Sequence, residues 1–474
     1  MKRELKRHPS RRIDGTDPGP SADLIKATIL LIVAFLLLLV DNIGYWLPRD
    51  LFSDGLSPWV LSDWLINYSS GFVRRGLSGE LIEIIRPFLP PKMAVGLLAW
   101  GAFLLLTAGY LRLILRVREF LSTLALLGLL FLPSLLPFYL YDHAAFGRKE
   151  TVGLLLVLWH LLILERCPPL NGTIDGNAYL RRLWPLSIVA LPIHTLMHEG
   201  MALWFGSVHL FLTSLVLRSA VGFSRQRGLL ITGVMYLPLA LVFTAVIVFG
   251  RGSPEDARNI CLHWADVGVF TPQNCADAQG AMHTIAPSID ALGWSFSKGK
   301  AVAASALPLR ALVLWLVVLP ILGIATLAVG SMASCSIVAG RPSEQFFDWV
   351  TPPASVIAVL FFALPLMLPF PIYVVAHDYG RWFAIACINY AMLSLSPEVV
   401  RLACRRPGAV QLKSGFERTR QPVPYNWRAF TIKTVFLLLC STAVYLPHCC
   451  AAFHIMAPSL RTIIENFTTI LSNG

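Results

Sequence analysis

Long apolar runs, broken by very few charges, limit what this chain can become. They lie at about 24–46, 93–115, 120–141, 151–165, 184–198, 200–217, 229–250, 303–330, 353–376, 383–396 and 431–448, and about twenty such residues let a helix cross a bilayer. Inside lipid there is no water to bond the backbone, so each run must satisfy its own N–H and C=O groups as helix. Charge content agrees: 14% of the 474 residues are charged, against roughly 25% in soluble domains. The sequence therefore predicts an all-α, polytopic integral membrane protein of about eleven transmembrane helices. Several runs are short enough to be broken or tilted.

Sidedness follows from the basic residues. The chain has 39 Lys and Arg against 27 Asp and Glu. In a soluble protein that surplus would point to nucleic acid; here it marks loops retained in the cytoplasm, and no nucleic-acid partner is expected. Residues 1–23 form a basic, disordered cytoplasmic arm carrying Lys2, Arg3, Lys6, Arg7, Arg11 and Arg12. The run after it is too long for a signal-peptide core and lacks a clear cleavage site, so it is an uncleaved first span. With the N-terminus inside, alternation makes 24–450 a helical membrane domain with outer loops 47–92 and 251–302 and a basic inner loop 397–430. The tail 451–474 and the C-terminus then lie in the periplasm. Roughly 24 basic residues fall inside and about 13 outside, a ratio the opposite orientation would reverse.

This topology places four polar clusters on one face. The first loop holds Asp63, Trp64 and Tyr68, then Arg74, Arg75 and Glu80 among Gly71, Gly76 and Gly79. Asp142, Arg148, Lys149 and Glu150 join the third and fourth spans. His194, His198 and Glu199 join the fifth and sixth. Asp378, Tyr379, Arg381 and Trp382 join the ninth and tenth. Ionisable groups at membrane depth usually pair or line a functional site, and acids alternate with bases in these clusters. A site that holds an anion and removes a proton needs both. The duller account makes each cluster an interfacial helix, a loop anchor or a local ion pair. The nine cysteines show no C-x-x-C spacing; Cys261 and Cys275, 14 positions apart in an outer loop, are expected to form a disulfide that braces a lid or rim.

An outward cavity with several acids and arginines suits a lipid-anchored, phosphorylated substrate. Guanidinium forks match phosphate oxygens and steady a leaving group's charge, while a carboxylate near an acceptor hydroxyl can act as base. No Walker loop or dinucleotide fingerprint is present, so the activated donor would come from the membrane as a polyprenyl-phosphate- or polyprenyl-diphosphate-linked sugar. In overall layout and in the first-loop segment Asp63 to Glu80, the chain resembles two groups of bacterial envelope enzymes. These are the membrane-embedded GT-C glycosyltransferases and the Wzy-like O-antigen and exopolysaccharide polymerases. The resemblance implies a bacterial inner (plasma) membrane enzyme with a catalytic acid in the first outer loop.

On that footing Asp63 is the expected catalytic base, with Glu199, Asp142 and Asp378 in reserve. Arg74, Arg75, Arg148, Lys149 and Arg381 would bind the phosphate or diphosphate, and Trp64, Tyr68, Tyr379 and Trp382 would stack on sugars. Expected partners are the bilayer, the lipid-linked saccharide and other membrane proteins of polysaccharide assembly. No resident cofactor is required. The i, i+4 pair His194 and His198 forms a polar patch or, alternatively, holds a divalent cation for a membrane hydrolase or acyltransferase. Two further classes stay open: a flippase or transporter of lipid-linked saccharide, which would carry polar groups deep inside several spans, and a non-catalytic assembly subunit. Apart from Arg310, His160 and His209, mid-span ionisable residues are scarce.

Overall fold

The computed structural model describes residues 29, 32–36, 56–142, 145–167, 174–221, 223–276, 286–306, 309–340, 352–369, 378–404, 427–442, 444 and 446. The arm 1–23, the tail 451–474, most of the first apolar run and the inner loop beyond Cys404 lie outside them. Helix dominates, and among the described residues the one strand pairing is a two-residue parallel contact of Ile174–Asp175 with Ala220–Val221. The helices used below are α1 (Pro58–Trp64), α2 (Gly76–Ile85), α3 (Pro91–Val117), α4 (Thr123–Phe131), α5 (Glu150–Glu165), α6 (Gly176–Trp184), α7 (Leu191–Met197), α8 (Met201–Ser219) and α9 (Arg225–Phe249). They continue as α10 (Pro254–Asp266), α11 (Leu309–Ala339), α12 (Tyr379–Ser394), α13 (Pro397–Cys404) and α14 (Trp427–Thr442).

Four described helices are long and apolar enough to cross a membrane: Pro91–Phe120, Met201–Ser219, Arg225–Phe249 and Leu316–Ala339. A fifth is added if α12 and α13, bent by 86°, count as one broken span. That is fewer than the eleven apolar runs; parts of the first, ninth and eleventh runs lie outside the described residues, and proline marks two others. Pro133 ends α4, because its ring clashes with the preceding turn and it offers no N–H; the chain restarts only at Pro137. Run 184–198 is crossed by Pro185 and Pro192, widens into a π-helical turn at Pro185–Ala190 and stops at Met197. Helix α5 has 16 residues, about 24 Å at 1.5 Å per residue, short of the roughly 30 Å hydrocarbon core. The long helices still present a lipid-like exterior: on α9, Leu230, Val234 and Leu241 are each at least 60% exposed. Aliphatic surface of that extent is costly in water and natural in a bilayer.

Two apolar cores result. The larger lies among α3 to α9 and α11 to α13; the smaller is built from Val60, Trp64, Ile66 and Ile82 against Ile260, Cys261, Trp264 and Ile289. The described parts of the two expected outer loops are thus a folded layer rather than loose connections. Within it α10 starts at a capping box, Ser253 Oγ accepting from Asp256 N while Asp256 accepts from Ser253 N. Cys261 and Cys275 are joined as the expected disulfide, their Cα atoms 5.6 Å apart.

Close backbone approach fixes α2 against α1. Gly79 N donates to Ile66 O at 2.9 Å, and a Cβ on Gly79 would sit 2.3 Å from that oxygen. Gly79→Ala is therefore expected to lower the thermal unfolding midpoint in detergent by several degrees, a cost of about 2 kcal/mol. Gly101→Ala, in open space on α3, should leave the midpoint unchanged or raise it slightly.

Candidate functional site

Three helix N-termini meet beneath the outer layer, and each carries an acid. Glu150 opens α5, Glu199 precedes α8 across Gly200, and Asp378 caps α12. A carboxylate at such an end meets unsatisfied N–H groups and the positive pole of the helix. Between them stand bases from other elements. Arg381 Nη1 is 3.1 Å from Glu150 Oε1, and its Nη2 contacts Asp378. Lys149 Nζ lies 3.7 Å from Asp63 Oδ2, at the C-terminal turn of α1. Arg75 joins two acids: Nη1 is 3.4 Å from Asp63 Oδ1, while Nε and Nη2 grip Glu199 as a fork at 2.9 Å each. Glu150 and Lys149, adjacent in sequence, couple electrostatically, and the result is one run of alternating charge, Asp378, Arg381, Glu150, Lys149, Asp63, Arg75 and Glu199.

The backbone is held in an unusual shape for this purpose. Arg75 is the sole described non-glycine residue with positive φ, at 67°, a conformation that costs roughly 1–3 kcal/mol and persists only when surroundings enforce it. Those surroundings are visible. Arg74 N donates to Gly250 O at 2.8 Å, Arg74 Nη2 donates to Ala291 O at 3.0 Å, and Ser78 Oγ donates to Arg75 O at 3.2 Å. Arg74 is therefore tied to the outer layer, and Arg75 is aimed into the ion run.

Burial sets the chemistry. By itself it would raise the Asp63 carboxyl, but Lys149, Arg75, His198 and Arg148 outweigh it and hold the pKa at about 2. Burial pushes the Lys149 ammonium down to about 8 despite the pull of Asp63. Glu199 is likewise kept well below the usual carboxylate range, the Arg75 charge overcoming its burial. The side chains of Asp63, Lys149 and Glu150 are no more than 1% exposed, whereas Arg75 keeps 23% and Glu199 11%. The run is thus accessible at its two ends, at the Arg75–Glu199 fork and at Asp378, which keeps 21%, and Asp63 is sealed between them.

Other expected site residues take different places. Asp142 accepts from Ala145 N at 3.1 Å and organises its own turn. Trp64 is buried, donates Nε1–H to Gly147 O at 2.7 Å and has Lys149 over its ring. Trp382 is buried with Trp204 stacked on it at 5.4 Å and Tyr379 at its edge. Neither indole offers a sugar-stacking face; Tyr68, half-buried and stacked on Phe72, and Tyr379 are the more accessible rings. Arg148 is buried, its guanidinium 5.8 Å from the Trp59 ring centroid and coupled electrostatically to Arg381, Asp378 and Asp63. His194 and His198 do not share a helical face, because α7 ends at Met197 and His198 is extended. His194 Nε2 lies 3.2 Å from Lys149 O, and His198 Nδ1 accepts from Gly200 N. Among the described residues no three His, Cys, Asp or Glu side chains are grouped to hold a metal. Glu150, which a local ion pair would explain from sequence, pairs with Arg381 and is a full member of the run.

Set beside known families, curated proteins and solved structures, the chain matches none.

The Asp63 carboxyl binds its proton near pH 2 in the fold and near about 3.9 in an unfolded chain. Its contribution is complete above the unfolded value and is lost as pH falls through the folded one. Unfolding followed by tryptophan fluorescence should show wild type more stable than Asp63→Asn by about 2–3 kcal/mol at pH 6, the two converging toward pH 2. A constant difference across that window would remove Asp63 from the ion run.

Proposed function

We propose that the chain is a membrane-embedded transferase using a polyprenyl-phosphate- or polyprenyl-diphosphate-linked sugar at a periplasm-facing site, in cell-envelope polysaccharide synthesis. Support comes above all from one observation: acids and bases from four distant segments form a single run, one open end of which is the Arg75–Glu199 fork. With the N-terminus inside and about eleven crossings, that end faces outward.

Chemistry follows from the fork. A phosphate offers the same fork geometry as a carboxylate with more charge and a further acceptor oxygen, so the donor's phosphate takes Arg75 from Glu199. Released from its partner, Glu199 gains basicity beside the bound donor. It then accepts the proton of an acceptor hydroxyl as that oxygen attacks the anomeric carbon. The bond from that carbon to the phosphate oxygen breaks, the new glycosidic bond forms, and the departing phosphate carries its electron pair to Arg75. Asp63 and Lys149 serve as positioning residues that keep Arg75 aimed.

In membranes supplied with polyprenyl-diphosphate-linked oligosaccharide, Glu199→Gln should lower the transfer rate by about a hundred-fold or more while donor binding tightens, since Arg75 no longer has a carboxylate to give up. Arg75→Lys should chiefly raise the donor KM, since a point charge replaces a fork. Wild-type turnover in Glu199→Gln would overturn its assignment as base.

One observation favours a second reading, a transporter of lipid-linked saccharide: polar side chains do meet deep between helices, where His160 and His209 face each other.

A further inference from the structure

A second polar network lies away from the ion run, in the interior of the helical bundle. His209 Nδ1 on α8 is 2.9 Å from His160 Nδ1 on α5, the rings stacked with centroids 5.1 Å apart and planes 6° from parallel. His160 Nε2 is 2.6 Å from the hydroxyl of Tyr179 on α6. That hydroxyl is 3.1 Å from Thr213 Oγ1 on α8, which in turn is 2.9 Å from the hydroxyl of Tyr236 on α9. His160, His209, Tyr179 and Thr213 have no exposed surface. His209 follows Met201 by eight residues and His160 follows Glu150 by ten, so they lie about 12 and 15 Å along their helices from the ion run. Gly153 lets α5 and α8 close to this distance, because a Cβ there would meet the Phe205 ring at 2.2 Å.

Such a chain has a property that a packing contact lacks. Two Nδ1 atoms facing at hydrogen-bond distance need opposite tautomers, one donating and one accepting. That choice propagates. If His160 donates to His209, then His160 Nε2 accepts from Tyr179, which accepts from Thr213, which accepts from Tyr236. If His209 donates, every bond reverses. Between the two states one proton crosses each bond, His209 Nε2 releases one and Tyr236 takes one up, so every group stays neutral; the reverse direction exchanges the two ends. The chain ends in a buried ring nitrogen, His209 Nε2, that has no hydrogen-bond partner. An orphan of this kind is costly in a dry interior and is placed to take up or release the transferred proton. Groups facing the network are few. His194 on α7 is coupled electrostatically to His209 and to Lys149, and Cys167 to Tyr179.

We propose that His209, His160, Tyr179, Thr213 and Tyr236 are a proton relay through the membrane-embedded part of this protein, a function separate from chemistry at the Arg75–Glu199 fork. A hydronium on one face delivers a proton to one end of the chain. Each group passes on the proton it held, and the far end releases one to water on the opposite face. On the His209 side, the nearest titratable group toward the ion run is His194, whose Nε2 is 3.2 Å from Lys149 O. On the other side, Tyr179 lies one turn before Arg182 on α6, where Arg182 bonds the Arg166 carbonyl. No bond other than O–H and N–H forms or breaks, and no redox partner is needed.

The full-length protein in vesicles enclosing a pH-sensitive dye, driven by a valinomycin-clamped potassium gradient, tests this directly. Wild type should move protons faster than protein-free vesicles. His160→Phe, which breaks the chain at its centre, should fall to the protein-free rate. Thr213→Val keeps the side-chain shape and removes a single hydroxyl; it should show the same loss with an unchanged elution profile and unfolding midpoint. A wild-type rate equal to that of empty vesicles would overturn the relay, as would a folded Thr213→Val protein with undiminished flux. Activity of the Arg75–Glu199 fork is read separately by saccharide transfer, so either assignment can fail alone.

Discussion

Seven buried or half-buried charges arranged with alternating sign are the constraint on which the remainder of the structure turns. In a low-dielectric setting a carboxylate or ammonium without a partner costs several kcal/mol, so none of these residues can be placed independently. Asp63 is acceptable in the interior only because Lys149 and Arg75 are there, and Arg75 only because Glu199 is. The helices obey the same demand. Glu150, Glu199 and Asp378 sit where α5, α8 and α12 begin, so these helices bring their positive ends together. Alternation makes that convergence favourable; three N-termini without acids would repel one another.

The outer layer provides what electrostatics alone does not, a fixed direction for Arg75. Its left-handed backbone is held by bonds from Arg74 to Gly250 and Ala291, residues that flank the beginning and end of the disulfide-braced segment. Helix α10, Cys261–Cys275 and the turn at Ser288 thereby act on the ion run at a distance: Ser288 N donates to Ser62 Oγ, next to Asp63. The stiffness of this layer, not its own chemistry, is its contribution. A brace is needed because a guanidinium on a long side chain would otherwise sample many orientations.

Much of this was legible from sequence, for a definite reason. Charges are rare in this chain, so each cluster stood out, and their burial cost required partners; the gathering of Asp63, Arg75, Lys149, Glu199 and Arg381 follows from that scarcity. The number of long helices was less legible. Hydropathy counts apolar residues but is blind to where proline ends a helix, as at Pro133, or to α7 stopping at Met197. The same blindness suggested a shared face for His194 and His198, which holds only while the helix continues. Trp64 and Trp382 were open to two readings because an indole serves equally as a stacking platform and as a core residue with one bonded N–H. Only the third dimension shows Lys149 over one and Trp204 over the other.

His160 and His209 show the limit of one-dimensional reading most sharply. Each is a lone histidine in an apolar run, and separately each is best read as a satisfied core residue. Their meaning lies in the 2.9 Å between them. The two polar networks also solve opposite problems. At the helix N-termini, where dipoles and nearby water lower the cost of charge, the protein uses ions held in pairs. In the bundle interior, where a fixed charge would be far more costly, it uses neutral groups, each able to donate or accept. A proton can cross such a chain without any member staying ionised, which is the form of charge movement that a membrane interior tolerates.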